Sequence, residues 1–199
     1  MELPDQIAAI VHDVKNRLQL LSPAIGSLQN NDSVEVQQAG NSIASTLDEI
    51  NHQLVLLLGI YRLDEAELFA AEECFVSDLF ETLLQRVHDC ECTVDCDDDL
   101  TVFCDPRLIT AVLGDAIHNA LRHCDAKVHL SAQPKEKGVL IRIDDDGDGL
   151  ADASQSSGGL GLMLAAKIAG AHRNGELHGQ ATLKPSSLLG GGCFELFLP

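Results

Sequence analysis

Two neighbouring segments at the start of the chain carry apolar residues at steps that are almost all alternately four and three. The first segment has Leu3, Ile7, Val11, Val14, Leu18, Leu21, Ile25 and Leu28, and the second has Val36, Gly40, Ile43, Leu47, Ile50, Leu54, Leu57 and Tyr61. This spacing is typical of α-helices that pack along a coiled-coil-like seam. Residues 30–33 between them are turn formers, so the sequence predicts an antiparallel helical hairpin.

One such hairpin buries too little apolar surface to be stable alone. Two hairpins give a four-helix bundle, and a homodimer is therefore the expected assembly. The composition changes near residue 68. We expect a helical hairpin domain over residues 1–68 and a second domain over residues 69–199.

The second domain mixes helix and strand patterns without strict alternation. Helices are predicted over residues 76–88, 106–123 and 160–172, and strands over residues 92–95, 100–103, 127–132, 139–143, 176–180 and 193–198, with a turn at 134–138. This order favours an α+β fold of packed layers over a Rossmann order.

Charge and hydropathy exclude several functions. The formal net charge of −18 repels phosphate backbones and anionic membrane surfaces, so nucleic acid is not an expected partner. No apolar run reaches the roughly 18 residues that span a bilayer, and the N-terminus lacks the pattern of a signal peptide. We therefore expect a cytoplasmic protein without direct membrane insertion.

The chain has seven cysteines. Without a secretory signal, an odd count favours reduced thiols over a disulfide framework. Cys90, Cys92 and Cys96 cluster near His88, but they lack the paired C-x₂-C spacing of common zinc sites. Small, buried hydrophobic side chains are the favoured interpretation, with a metal site as the lesser alternative.

A histidine on the first helix has polar neighbours suited to chemistry. His12 lies off the apolar seam and faces solvent, Asp13 follows it, and Asn16 lies one turn later on the same face. A carboxylate beside an imidazole can accept its proton, and an amide can orient a water molecule or a phosphoryl group. An inert surface histidine is the alternative when this motif is taken alone.

Three further motifs would suit a phosphorylated ligand. Asp115, Asn119 and Arg122 share one helix face, which suits Mg²⁺ and phosphate together. Asp145-x-Gly147-x-Gly149 ends a strand and allows close approach of a ligand to the backbone. Gly159-Leu160-Gly161 opens an apolar helix whose free N–H groups attract anions. Each motif alone also fits a solvated helix face or a plain turn.

The order and spacing of these motifs resemble the transmitter core of two-component sensor histidine kinases over nearly the whole chain. The matching segments are the H-box at His12-Asp13-x-x-Asn16, the N-box at residues 115–123 with its lead-in at 104–108, the two glycine boxes at 145–149 and 159–162, the segment 172–176 and the closing strand at 190–199. The resemblance implies a dimeric four-helix bundle from the hairpin, followed by an α/β sandwich of the Bergerat (GHKL) type.

The resemblance also implies roles for single residues. His12 would accept the γ-phosphoryl group of ATP, Asp13 would accept its proton, and Asn16 would position water for dephosphorylation of a regulator. The implied nucleotide site has Asn119 on Mg²⁺ with Asp115 beside it, Arg122 on phosphate, Asp145 on the adenine amino group, and Gly147, Gly149, Gly159, Leu160 and Gly161 shaping the pocket and its lid.

The expected function is that of an ATP-dependent protein-histidine kinase. It would pass the phosphoryl group from His12 to an aspartate of a response-regulator receiver domain, and regulator phosphatase activity would fit the same residues. A separate sensor or input protein would supply the signal. One alternative is an ATP-independent histidine phosphotransferase or phosphatase with a degenerate ATP domain, which the short lid between Gly149 and Gly159 favours. A non-catalytic module that sequesters a partner is a third reading, against which His12 argues.

Overall fold

A computed structural model describes residues 11, 13–31, 33–64, 70–84, 87, 90–149 and 158–199. Helix α1 includes residues 13–19, and the further helices are α2 Ser22–Gln29, α3 Val34–Asp64, α4 Val76–Leu84, α5 Pro106–His123 and α6 Gly158–Ala171. The strands are β1 Glu72–Phe75, β2 Glu91–Asp95, β3 Thr101–Cys104, β4 Lys127–Lys135, β5 Gly138–Asp145, β6 Arg173–Asn174, β7 Leu177–His178, β8 Gln180–Pro185 and β9 Gly192–Leu198. No helix in these ranges has the length and apolar character needed to cross a bilayer.

Helices α2 and α3 pack side by side across the turn near residue 31. At Gly40 a β-carbon would lie 2.9 Å from the backbone nitrogen of Gln29, so only glycine allows this close approach. The side-chain amide of Gln29 donates to Asn41 Oδ1 at 3.0 Å. The two helices therefore run antiparallel from a tight turn.

The first half of the hairpin is interrupted where a single long helix was predicted. Leu20 and Leu21 form a turn between α1 and α2, and the Leu21 N–H donates to Leu18 O at 3.0 Å rather than to the residue four positions back. Pro23 stands in the first turn of α2 and has no N–H to continue the helical pattern. The apolar spacing is therefore maintained through a break in the helix.

The second part of the chain is a sheet covered on one face by helices. The strand order is β2-β4-β5-β9-β8, with β2 and β4 parallel and the other pairs antiparallel. Alternate residues of the central strands, such as Leu130, Ile141 and Leu196, are fully buried against α4, α5 and α6. The predicted α+β layering is confirmed.

Asp105 fixes the start of α5. Its buried carboxylate accepts hydrogen bonds from the backbone N–H groups of Arg107 and Leu108 and pairs with the Arg107 guanidinium at 3.1 Å. The N–H of Ala70 also donates to it, which ties the segment that precedes β1 to this helix. Burial alone would raise the pKa of Asp105, but the hydrogen bonds from Arg107, Ala70 and Leu108 hold it below its usual value. This N-cap, with Pro106 in the first turn, sets where α5 begins.

Two predicted boundaries in the sheet were wrong. The strand expected over residues 176–180 is divided into β7 and β8 at Gly179, where a β-carbon would lie 2.3 Å from Ala169 O. The turn expected over 134–138 is shorter, because β4 continues through Pro134 to Lys135. Strand β2 pairs with β4 only as far as Ser131. Pro134 therefore occupies an edge position, where its missing N–H has no sheet partner to lose.

Candidate functional site

Asp145 stands at the end of β5 in a cradle of backbone amides. Its Oδ1 accepts the N–H of Gly147 at 3.0 Å and the N–H of Gly192 at 3.0 Å. A β-carbon at Gly191 would lie 2.2 Å from the same oxygen, so the cradle requires glycine there. Asp145 pairs with Val128 across the sheet, which puts its side chain on the helix-covered face. A largely buried carboxylate is thus held with one oxygen fully engaged.

The three consecutive aspartates at this strand end point to three different places. Asp144 lies on the open face of the sheet, where it accepts the Ser186 hydroxyl at 2.6 Å. Asp146 Oδ1 accepts three backbone N–H groups, from residues 125, 126 and 127, at 3.0, 3.1 and 2.9 Å. The hydrogen bond from Lys127 and the others of this set hold the pKa of Asp146 below its usual value. Asp146 therefore fixes the turn that leaves α5, and Asp145 faces the helix layer.

Asp115 and Asn119 form a second polar cluster, on α5. The Asn119 side-chain amide donates to Asp115 Oδ2 at 3.4 Å, and Asp115 is buried. A β-carbon at Gly161 of α6 would lie 2.6 Å from that oxygen. The second glycine box therefore meets the N-box at this carboxylate. Arg122, one turn further along α5, is exposed.

The first glycine box packs onto the end of α5. A β-carbon at Gly147 would lie 1.9 Å from His123 O, and Gly149 has a positive φ of 74°. Both positions require glycine, the first for a close approach and the second for its backbone conformation. Because α5 contacts both β5 and α6, the Asp145 and Asp115 clusters lie on the same side of the sheet. Five of the predicted nucleotide-site residues thus fall in these two clusters: Asp115, Asn119, Asp145, Gly147 and Gly161.

Other predicted residues are described in part or not at all. His12 lies outside the described residues. Gly159 and Leu160 lie in the first turn of α6. Asp13 is exposed and pairs with Arg17 on the same helix at 2.9 Å, and Asn16 is also exposed.

The sequence did not indicate the role of His172. This histidine is 3% exposed, its Nε2 accepts the backbone N–H of Asp105 at 3.1 Å, and its Nδ1 lies 2.9 Å from Ile168 O. Burial lowers the pKa of His172, so its neutral form is favoured. It joins α6 to the start of α5, the helix that carries Asp115. Its separation of 67 positions from Asp105 left no local signal that could have predicted the contact.

Comparisons with known proteins converge on one family. Residues 104–199 match the family of histidine kinase-, DNA gyrase B-, and HSP90-like ATPases. The sensor-type histidine kinase PrrB of Mycobacterium bovis is 31% identical over 167 residues, which cover 72% of this chain and 36% of that protein. The signal transduction histidine-protein kinase AfsQ2 of Streptomyces coelicolor is 31% identical over 110 residues, covering 48% of this chain and 20% of AfsQ2. The chain thus spans about a third or less of these relatives.

Solved structures agree with the sequence matches. The histidine kinase AdeS of Acinetobacter baumannii aligns with a TM-score of 0.59 at 19% identity, covering 94% of this chain and 96% of that one. The ATP-binding domain of PrrB from Mycobacterium tuberculosis aligns with a TM-score of 0.54 at 29% identity, covering 65% of this chain and 96% of that domain. The AdeS match shows a shared fold.

Proposed function

We propose that this protein, whose residues 104–199 belong to the histidine kinase-, DNA gyrase B- and HSP90-like ATPase family, is an ATP-dependent histidine kinase. Its homology to sensor histidine kinases supports the proposal. It binds ATP beside Asp145, phosphorylates His12 and passes the phosphoryl group to an aspartate of a response-regulator receiver domain. The observation that carries the proposal is the amide cradle of Asp145, on the same side of the sheet as the Asp115–Asn119 pair.

The cradle suits an adenine base. Both amide hydrogen bonds of Asp145 reach Oδ1, so Oδ2 can accept a hydrogen bond from the exocyclic amino group of adenine. A charge-assisted hydrogen bond of this kind contributes about 1.5–3 kcal/mol. Because Gly147 and Gly192 hold the carboxylate in place before the base arrives, little side-chain entropy is lost on binding.

The polar cluster on α5 suits the phosphates and their cation. Mg²⁺ prefers oxygen ligands such as carboxylate and amide carbonyl groups. The Asn119 Nδ2 donates to Asp115, which leaves the Asn119 carbonyl oxygen to bind a cation, so these residues fit Mg²⁺. A bound Mg²⁺ would neutralise phosphate charge. Arg122 supplies a further positive charge at the end of the same helix.

The transfer step needs a nucleophile and a proton acceptor. In the proposed step an imidazole nitrogen of His12 forms a bond to the γ-phosphorus, the bond to the β,γ-bridging oxygen breaks, and ADP leaves. The attacking nitrogen is the unprotonated one, and the proton on the other ring nitrogen moves to the carboxylate of Asp13. The ion pair between Asp13 and Arg17 is exposed and so contributes little energy. It can therefore open to let Asp13 take this role.

The packing of the hairpin supports this proposal. Helix α3 contacts α5 and α6, the two helices that carry Asp115 and Gly161. The hairpin thus lies against the helix layer, on the side of the sheet where both polar clusters lie. We propose that residues 1–68 form the phosphotransfer hairpin and residues 69–199 the ATP-binding domain.

Exposed apolar side chains on the hairpin support a homodimer. These are Leu20, Leu21, Val34, Ile43 and Ile50, which are 78%, 48%, 65%, 44% and 38% exposed. A second hairpin in a four-helix bundle would cover such positions. A separate input protein would then control the bundle.

Labelling with ATP tests the proposal. Incubation of the full chain with Mg²⁺ and γ-labelled ATP should give an acid-labile, base-stable label that His12→Ala abolishes. His178→Ala is the matched control, because His178 is exposed on β7 and lies in none of the named motifs, so this variant should keep the label. An absence of label from protein that binds ATP, or a label that persists in His12→Ala, would contradict the proposal.

An ATP-independent phosphotransferase is the second candidate. Only the nine residues 150–158 separate Gly149 from Gly159, a short segment for a lid over a nucleotide. Asn16, exposed on α1, would orient water for regulator dephosphorylation. Titration with ATP separates the two candidates, because the phosphotransferase would bind no nucleotide yet accept phosphate from a phosphorylated receiver domain.

A further inference from the structure

Two cysteines that are distant in sequence meet at the end of α5. Cys90 directly precedes β2, and Cys124 is the C-cap residue of α5. Their sulfur atoms are 3.4 Å apart across 34 positions of sequence, and both residues are partly exposed. All seven cysteines are among the described residues, and none is in a disulfide. This contact pairs Cys90 with a partner outside the Cys90–Cys96 cluster that the sequence suggested.

The backbone holds the two cysteines close together. The Glu91 N–H donates to Ala126 O at 2.9 Å, and the Cys124 N–H donates to Ala120 O at 2.8 Å. A disulfide has a sulfur–sulfur distance of about 2.05 Å, so the two atoms need to approach by about 1.4 Å. Side-chain rotation about the Cα–Cβ bonds moves sulfur by more than this.

We propose that Cys90 and Cys124 are a reversible disulfide site, closed by a peroxide or by a small-molecule disulfide. With hydrogen peroxide, one thiol first becomes a sulfenic acid and releases one water molecule. The second sulfur then attacks the first, the sulfur–oxygen bond breaks, and a second water molecule leaves. Two thiols thus lose two electrons and two protons, and the peroxide is reduced to two water molecules.

The other cysteines are placed less well for this reaction. Cys104 and Cys193 are buried. Cys74 and Cys104 are in contact, but burial raises the pKa of the Cys104 thiol and so disfavours its thiolate. Cys92 could compete with Cys90 for Cys124, because the thiols of Cys92 and Cys124 are close enough to interact electrostatically. Within the described ranges no group of three or more His, Cys, Asp and Glu side chains could hold a metal ion.

The raised pKa of Cys124 makes closure of the disulfide depend on pH. Burial raises the pKa of Cys124 to about 12, and its hydrogen bond with Cys90 adds to the rise. Little Cys124 thiolate is thus present at neutral pH, and closure of the bridge, which consumes a thiolate, is slow there. The rate of closure should rise with pH.

The position of the pair gives the disulfide a structural effect. Residues 125–127 follow Cys124 directly and hold Asp146, the neighbour of Asp145. A bridge would tie this turn and the end of α5 to β2. A closed loop of about 34 residues restricts the unfolded chain, so the midpoint of thermal unfolding should rise by several degrees in the oxidised protein.

Disulfide mapping tests the proposal directly. The full chain is reduced, treated with hydrogen peroxide or oxidised glutathione, alkylated and digested without reduction for mass spectrometry. We expect two of the seven thiols to be lost, with the Cys90 and Cys124 peptides joined and the bond reversed by dithiothreitol. Mapping of the wild-type chain shows whether the disulfide between Cys90 and Cys124 forms, even where a variant folds poorly.

Single serine variants give the matched controls. Cys92→Ser should keep the bridge and the loss of two thiols, whereas Cys90→Ser and Cys124→Ser should each abolish both. The proposal fails if the bridge joins Cys92 to Cys124, if only mixed glutathione adducts form, or if no thiol is lost. None of these results depends on ATP binding, so they are independent of kinase activity.

Discussion

Replacing Asp145 with asparagine should separate nucleotide binding from folding. The amide cradle donates two hydrogen bonds to Oδ1, and the carbonyl oxygen of an asparagine can accept both. Its NH₂ group must then occupy the position of Oδ2. An acceptor for the adenine amino group thereby becomes a donor, while the backbone around it keeps its hydrogen bonds.

The size of the effect follows from the bond that is lost. A hydrogen bond to a charged group contributes about 1.5–3 kcal/mol, and each 1.4 kcal/mol is tenfold in affinity. Asp145→Asn should therefore weaken ATP binding by roughly 10- to 150-fold. GTP should lose less, because the carbonyl oxygen of guanine can accept from the new NH₂ group.

Isothermal titration calorimetry with ATP and GTP measures both affinities, and thermal unfolding checks the fold. Asp144→Asn is the matched control. Asp144 lies on the opposite face of the sheet, beside Ser186 and a concavity of about 310 Å³ that the helices do not cover. The ATP affinity of the Asp144→Asn variant should stay within twofold of wild type. Equal losses in the two variants, or unchanged ATP binding in Asp145→Asn, would refute the assignment of Asp145 to adenine.

Three further changes probe the rest of the site. Gly161→Ala puts a β-carbon 2.6 Å from Asp115 Oδ2 and should lower the free energy of unfolding by about 1–3 kcal/mol. The control Gly26→Ala, with nothing within 4 Å of the new β-carbon, should leave the free energy of unfolding unchanged or raise it. Urea unfolding measures both variants. Backbone hydrogen bonds lower the pKa of Asp146, so the stability it contributes is present above the carboxyl pKa of the unfolded chain, about 4, and is lost on acidification. Urea midpoints between pH 5 and 3 should fall more in wild type than in Asp146→Asn. Burial lowers the pKa of His172, so stability should fall as the pH drops below about 6.5, where the unfolded chain takes up the proton first. The His172→Gln variant should show a flatter profile between pH 7.5 and 5.5.

Local sequence signals predicted the elements that carry the site. Pro106 marks the start of α5 by its fixed φ, and the predicted range 106–123 matches the observed helix. The Asp145 motif correctly ended a strand, since glycines follow where the chain must leave the sheet. These features depend on residues a few positions apart, which a pattern can reveal.

Contacts between distant residues could not be read from the sequence. Gly192 donates to Asp145 across 47 positions, although the glycines before β9 suggested only a closing strand. The Cys90–Cys124 and Asp105–His172 contacts likewise depend on how the layers pack. The break at Leu20–Leu21 was missed because the apolar spacing continues through it, while Pro23 changes only the backbone hydrogen bonds.

The position of the phosphoryl group after reaction with ATP tests the central claim most directly. The full chain is incubated with Mg²⁺ and ATP, kept at alkaline pH and analysed by mass spectrometry that localises phosphorylated residues. The chain has eight histidines, and we predict one phosphoryl group, on His12. Phosphorylation of another residue instead, or an unmodified His12 in protein saturated with ATP, would contradict a histidine kinase that acts through this hairpin.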